Sequence, residues 1–294
     1  MKHYLLLHIA VLIAGFTGIL GKVITLNEGL LVWYRVFFTS ILLFFIVKVI
    51  FKKSRLPVRD IVEIVKAGAL LTFHWVFFYG SIKYSNVSIG VICYCLCGFF
   101  TSIFKPLLEK TAFRVSELML SVLSVLGIGL IFHFDAAFRT GIVLGVISSA
   151  LGALYTIFNA RIVKKYDNLT INYYQMLGGT IILGALLPVY LHLFPVDRLL
   201  PTLNDTFFLL LLALFCTVGL YFALVEAMKK IPVFTINLSF NLEPIYAILL
   251  AFLFFNESKE VNFDFYIGLT IIIFSVVLQT FKSVYIRRDA KKNQ

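Results

Sequence analysis

Three kinds of residue in this chain could do chemistry where water is scarce. Asn237, Asn241 and the pair Glu243-Pro244 sit near the middle of an apolar run covering 232–258. As a helix rising 1.5 Å per residue, the run places Glu243 roughly 17 Å from its start, near the midplane of a hydrocarbon layer about 30 Å thick. A carboxylate there costs about 2.5–3.5 kcal/mol on insertion scales and so faces other helices or a wet cavity. Pro244 adds to this, because it frees a carbonyl one turn back. Glu243 is therefore a candidate to bind a solute ammonium group or a coupling proton, and Pro244 is a candidate hinge.

Other polar groups recur at helical spacing. Ser148, Gly152, Tyr155 and Asn159 form one stripe. His74, Phe78 and Ser81 form another, with Trp75 and Tyr79 beside it. Cys93, Cys97 and Thr101 align, as do Tyr94, Gly98 and Thr101. Thr217 and Tyr221 are one turn apart. These stripes suit either solute contacts or hydrogen bonds between helices, and Gly15, Gly18 and Gly21 suit close helix packing. The candidate cavity residues are His74, Trp75, Tyr79, Tyr94, Ser148, Tyr155, Asn159, Tyr221, Asn237, Asn241 and Glu243. Arg35 is a charge candidate roughly 9 Å below the outer end of its span. Its stem is long enough to snorkel to the interface or to reach an ion-pair partner; alternatively, its planar fork suits a solute carboxylate. With Lys22 and Lys83 it could form an electropositive funnel.

The elements that must hold these groups are membrane helices. The chain is 61% hydrophobic and 14% charged, with a mean hydropathy of +0.97, against about 25% charged residues in soluble domains. Ten apolar stretches of spanning length run over about 4–24, 29–50, 62–83, 86–106, 115–134, 141–162, 171–194, 206–228, 232–254 and 264–285. The first is long for a signal peptide and lacks a cleavage site, so it is read as a retained span. With the N-terminus in the cytoplasm, 20 of the 26 Lys and Arg fall on that side and five on the other, leaving Arg35 inside a span. That bias places both termini in the cytoplasm and accounts for the net charge of +11 without nucleic acid as a partner. Cys93, Cys95, Cys97 and Cys216 all lie in apolar runs, so no disulfide framework is expected.

Residues 81–111 can be laid over 227–257 without a gap, with Gly98 falling on Pro244 and Leu107 on Leu253. Each segment takes the fourth place in a half of five spans, and two odd-numbered halves insert with opposite orientation. Inverted halves with helices interrupted at matching places are a signature of secondary transporters. Gly98 and Pro244 are the paired interruptions. The halves are expected over 1–136 and 137–294.

GVISSALGALYTIFNARIVKK (145–165) and YFALVEAMKKIPVFTINLSFNLEPIYAILLAFLFFNES (221–258) resemble the EamA-type branch of the drug/metabolite transporter superfamily. Leu242-Glu243-Pro244 matches its L-E-P motif. Asn256-Glu257 stands where the family usually has Gly-Glu, and GILGKVI (18–24) and VWYRVFF (32–38) are similar to its first-helix Lys and second-helix Arg patterns. The first half departs from the pattern with Gly98 in place of Pro, Thr111 at the Gly-Glu position, and Lys105-Pro106 followed by Glu109. The resemblance implies an all-α membrane protein of ten transmembrane helices in two inverted five-helix repeats. Helices one, three, four, six, eight and nine would line a central cavity, and substrates would be amino acids, other small metabolites or toxic organic compounds, mostly exported.

The expected function is secondary active export of a small metabolite such as an amino acid, at the plasma (bacterial inner) membrane. A small solute and membrane lipid would be its partners and protons a candidate coupling ion, with no cofactor or metal. Flipping of a lipid-linked substrate and a non-transporting sensor or scaffold are the alternatives. The absence of H-E-x-x-H and G-x-S-x-G argues against an enzyme, and the absence of G-x-x-x-x-G-K-[ST] argues against direct drive by ATP.

Overall fold

The computed structural model describes residues 2–51, 56–113, 115–134, 136–220, 222–223, 227 and 242–292. These are helical throughout, with no strand among them. The helices are α1 (Lys2–Val23), α2 (Glu28–Phe44), α3 (Val58–Lys83), α4 (Val87–Tyr94), α5 (Cys97–Glu109), α6 (Val115–Phe134), α7 (Arg139–Ile162), α8 (Asn168–Leu193), α9 (Leu203–Ala213), α10 (Glu243–Phe255) and α11 (Phe263–Lys292). α2 and α9 each run on into a π-helical turn, Phe45–Ile50 and Leu214–Gly219. Six helical segments are long and apolar enough to cross a membrane, and four shorter ones are also apolar.

Helix starts follow from short polar residues at the breaks. Asn27, Asn86 and Asp167 each accept a backbone N–H three residues on, opening α2, α4 and α8. Thr202 and Asp205 cap α9 reciprocally.

Packing reverses the pattern of a water-soluble bundle. α8 buries Thr170, Asn172 and Gln175 while exposing Ile181 and Val189, as expected of a helix whose outer surface meets lipid. The central helix is α3, which packs extensively on α7 and α8, while α6 pairs with α11 and α1 with α10. Close crossings depend on glycine. A Cβ on Gly68 would stand 2.6 Å from the Gln175 backbone, and one on Gly21 would overlap the Tyr79 ring. Gly15 meets α10 at Ala247, and Gly18 meets Val87, so the α1 glycines serve packing.

Besides a small buried cluster of Leu7, Val11 and Ala227, two larger apolar ones fill the interior. One joins α1, α2, α3, α8 and α9; the other joins α4, α6, α7 and α11. α10 contributes Ala247 and Ala251 to the first and Ile248 to the second. α4 is shared likewise, through Val91 and Ile92. The helix that carries Glu243 thus lies between the two clusters, with Leu249, Leu253 and Phe254 on its outward side.

The internal repeat is visible in the backbone. The stretch expected as one span over 86–106 is found as one spanning segment, Val87–Glu109, with a two-residue interruption: α4 stops at Tyr94 and α5 begins at Cys97. α5 and α10 have 13 residues each, and residues 97 and 243, like 109 and 255, are 146 apart, the offset that lays 81–111 over 227–257. Both helices end in a residue of left-handed conformation, Lys110 (φ 52°) and Asn256 (φ 54°), again 146 apart. No other non-glycine residue among those described has a positive φ. The break in the first half lies at Cys95–Leu96, just before Gly98, and Pro244 occupies the first turn of α10, where a missing N–H costs no helix bond.

Candidate functional site

Arg35 is the most unusual side chain in the interior. It projects from α2, is 2% exposed, and does not snorkel. One Nη donates to the Tyr79 hydroxyl at 2.6 Å and the other to Thr217 Oγ1 at 3.3 Å. The guanidinium lies over the Trp75 ring, 3.8 Å from its centre, and its Nε–H has no partner. Among the described residues no carboxylate pairs with it, so the expected interface or ion-pair position is corrected to a buried cation held by hydroxyls and an aromatic face. A desolvated cation–π contact is worth about 2 kcal/mol, whereas an arginine in mid-bilayer costs about 2.5–3.5 kcal/mol on the most lenient scale.

The local fold explains how Thr217 reaches Arg35. In the π-helical turn its hydroxyl donates to the Leu212 carbonyl five residues back, at 3.1 Å, and the widened turn carries the side chain towards α2. Turns of this kind recur at functional positions. Tyr79 also donates, at 3.5 Å, to the Thr17 carbonyl of α1.

Two further polar groups join α3, α4, α7 and α8. Ser148 donates to the His74 carbonyl at 3.0 Å, so the His74 Nδ1–H donates to the Ser148 carbonyl at 2.9 Å. The imidazole lies 5.1 Å from the Tyr94 ring. Gly152 completes this contact: a Cβ there would stand 3.1 Å from Tyr94 and 3.2 Å from His74. Deeper along the stripe, Tyr155 donates to Gln175 Oε1 at 3.4 Å and the Gln175 amide donates to Asn159 Oδ1 at 2.9 Å. The α7 stripe is thus a line of interhelical hydrogen bonds. Gln175 is 0% exposed and was missed in the sequence, where Asn172 one turn before it was the available signal of a polar stripe on α8.

Glu243 is the first residue of α10, partly buried, with its carboxylate near the Cys95 thiol at the α4–α5 break. Among the described residues no cation pairs with it. Neighbours of both groups reach the same stretch of α1: Tyr79, which holds Arg35, donates to the Thr17 carbonyl, and Tyr246, three residues beyond Glu243, packs on Gly15. Tyr221, Asn237 and Asn241 lie outside the described residues.

Lys22 and Lys83 do not join Arg35 in a funnel. Lys83 donates to the Ile24 carbonyl at 2.8 Å, and Lys22 pairs with Glu257 at 3.4 Å. Glu257 is 0% exposed and accepts from the backbone of Val87 and Ser88, both at 2.9 Å, and from the Ser88 hydroxyl at 2.7 Å. A carboxylate after α10 thus caps the start of α4, where the helix dipole favours negative charge. Nearby, Asp205 accepts from the Thr25 N–H at 2.7 Å and from Arg198 at 2.9 Å, tying α9 to the α1–α2 connection.

The EamA-like transporter family matches this chain over residues 1–133 and 139–281. The protein belongs to the EamA-like transporter family. It is accordingly a multi-pass membrane protein of a transporter family, and members of that family are transporters rather than enzymes. Comparison with curated proteins gives no match. Among solved structures twenty chains match. One, a crystal structure described only as that of a protein, has a TM-score of 0.61 at 12% identity, covering 96% of this chain and 98% of its own. That similarity concerns the fold alone. Within this EamA-like chain, the Asn-Glu departure from Gly-Glu has a local reason. Asn256 holds the left-handed conformation that glycine adopts freely and asparagine tolerates, leaving Glu257 placed to cap α4.

Proposed function

We propose that this EamA-like protein is a secondary active transporter that exports a small metabolite, of the amino-acid kind, across the plasma membrane. Ten helices in two inverted repeats of five, divided near residue 136, would rock about a midplane site, with both termini in the cytoplasm. The four shorter apolar helices added to the six long ones are compatible with that number, and the matched helix lengths and left-handed ends of α5 and α10 support the repeat.

The observation that carries this reading is a pair of opposite charges left uncompensated in the interior. Arg35 has only neutral partners and Glu243 has no cation among the described residues, and a neighbour of each, Tyr79 and Tyr246, meets the same stretch of α1. Charges in that setting mark solute and ion pathways. Glu243 would take the solute ammonium or a proton, the aromatic side chains of Trp75, Tyr79 and Tyr94 would cover its apolar part, and Gly98 and Pro244 would let the interrupted helices bend.

The test is counterflow in proteoliposomes with labelled amino acids and small metabolites, with and without a proton gradient. Glu243→Gln is expected to keep normal expression and lose at least about 90% of the flux. Wild-type flux retained by a well-expressed Glu243→Gln protein would exclude this role for the carboxyl.

A further inference from the structure

We infer that the Arg35 guanidinium is the docking point for a carboxylate on the transported solute, which makes the solute class small organic acids and amino acids. This rests on the transporter reading and assigns one end of its site.

Every described group shown in contact with Arg35 is neutral. Its hydrogen bonds run to the hydroxyls of Tyr79 and Thr217, its face rests on Trp75, and among the described residues His74 and Cys216 also feel its charge. A guanidinium offers five N–H donors. Its two hydrogen bonds use one donor on each Nη, and the Nε–H has no partner although it is fully enclosed. A buried charge with spare donors calls for an anion, and the planar fork fits a carboxylate through two parallel bonds. Stacking on Trp75 fixes the plane of the fork.

The neighbouring bonds are of a kind that exchange readily. The Thr217 contact is long, 3.3 Å, and is made from a π-helical turn. Tyr79 spends its own proton on a 3.5 Å bond to the Thr17 carbonyl. A carboxylate entering along α1 would displace Thr217 from the fork and take the Tyr79 proton as an additional hydrogen bond. No bond is broken beyond these contacts and no proton is transferred.

Trp33 and Trp75 are the two tryptophans of the chain, so Trp33→Phe leaves a single emitter beneath the guanidinium. In nanodiscs, the full-length Trp33→Phe protein would be titrated with leucine, phenylalanine, glutamate and succinate, with the amides of the three amino acids, and with inorganic phosphate. Saturable changes in Trp75 emission are expected with carboxylates, with binding at least tenfold weaker for the amides and for phosphate. Arg35→Lys in the same background keeps the charge and loses the fork. It is expected to weaken carboxylate binding tenfold or more and to leave amide binding unchanged, while eluting as a monodisperse species.

Equal binding of acids and amides, unchanged acid binding by folded Arg35→Lys, tighter binding of phosphate, or no response to any probe would each overturn the assignment. Carboxylate-selective binding without flux in proteoliposomes would leave the site standing and remove the transporter reading. Flux that ignores Arg35→Lys would do the reverse.

Discussion

At the scale of single residues, position in the fold decides what a glycine is worth. A Cβ on Gly68 would press on the Gln175 backbone at 2.6 Å, and backbone in a packed helix cannot step aside as a side-chain tip can. Gly68→Ala is expected to cost about 1–3 kcal/mol by overpacking, read as a lower unfolding midpoint in detergent. Gly129 on α6 has nothing within 4 Å. Gly129→Ala should be neutral or gain up to about 1 kcal/mol from helix propensity. A larger loss at Gly129 than at Gly68 would contradict the α3–α8 packing. The same reasoning separates Arg35 from Lys22 and Lys83, whose ammonium groups end on a carboxylate and a carbonyl.

At the scale of elements, the start of α4 and the end of α10 are joined by Glu257. Its carboxylate satisfies two backbone donors and one hydroxyl at the start of α4. Glu257→Ala would leave those donors buried and unmatched, at about 1–3 kcal/mol for the first of them, so a loss of roughly 3 kcal/mol is expected in chemical or thermal unfolding. Glu257→Gln should be milder, because its amide oxygen can still accept. At Asn256, glycine should be tolerated or slightly stabilising, whereas Asn256→Val should cost about 1–2 kcal/mol because a β-branched side chain resists φ near 54°. Equal stability of the glycine and valine variants would show that the left-handed turn is not what holds Glu257 in place.

At the scale of the whole molecule, the charge bias makes a prediction independent of any solute. Reporter fusions at residue 2 and after residue 294 should both report the cytoplasmic side, since 20 of 26 basic residues fall there under that orientation. Opposite locations for the two reporters would refute an even number of crossings. The polar contacts that hold the helices together also face inward: Ser124 bonds Ser275 at 3.1 Å between α6 and α11, and Trp33 bonds the Thr180 carbonyl at 3.2 Å between α2 and α8. Outward surfaces are left to apolar side chains such as Leu253 and Phe254.

The sequence by itself determined the class, the approximate helix boundaries and the repeat offset, because each rests on local physics. Hydropathy, cap residues and the 146-residue correspondence need no knowledge of which helix touches which. Periodicity also marked Ser148, Gly152, Tyr155 and Asn159 as one face. Only the tertiary structure decided what that face meets, since His74 arrives from α3, 74 residues away from Ser148, and Gln175 from α8 in a register that periodicity does not give. The same holds for Arg35: its depth along α2 could be counted, but burial against Trp75, Tyr79 and Thr217 depends on how α2, α3 and a widened turn of α9 cross. A helix's period tells which residues share a side, and three-dimensional packing alone chooses the neighbour on that side.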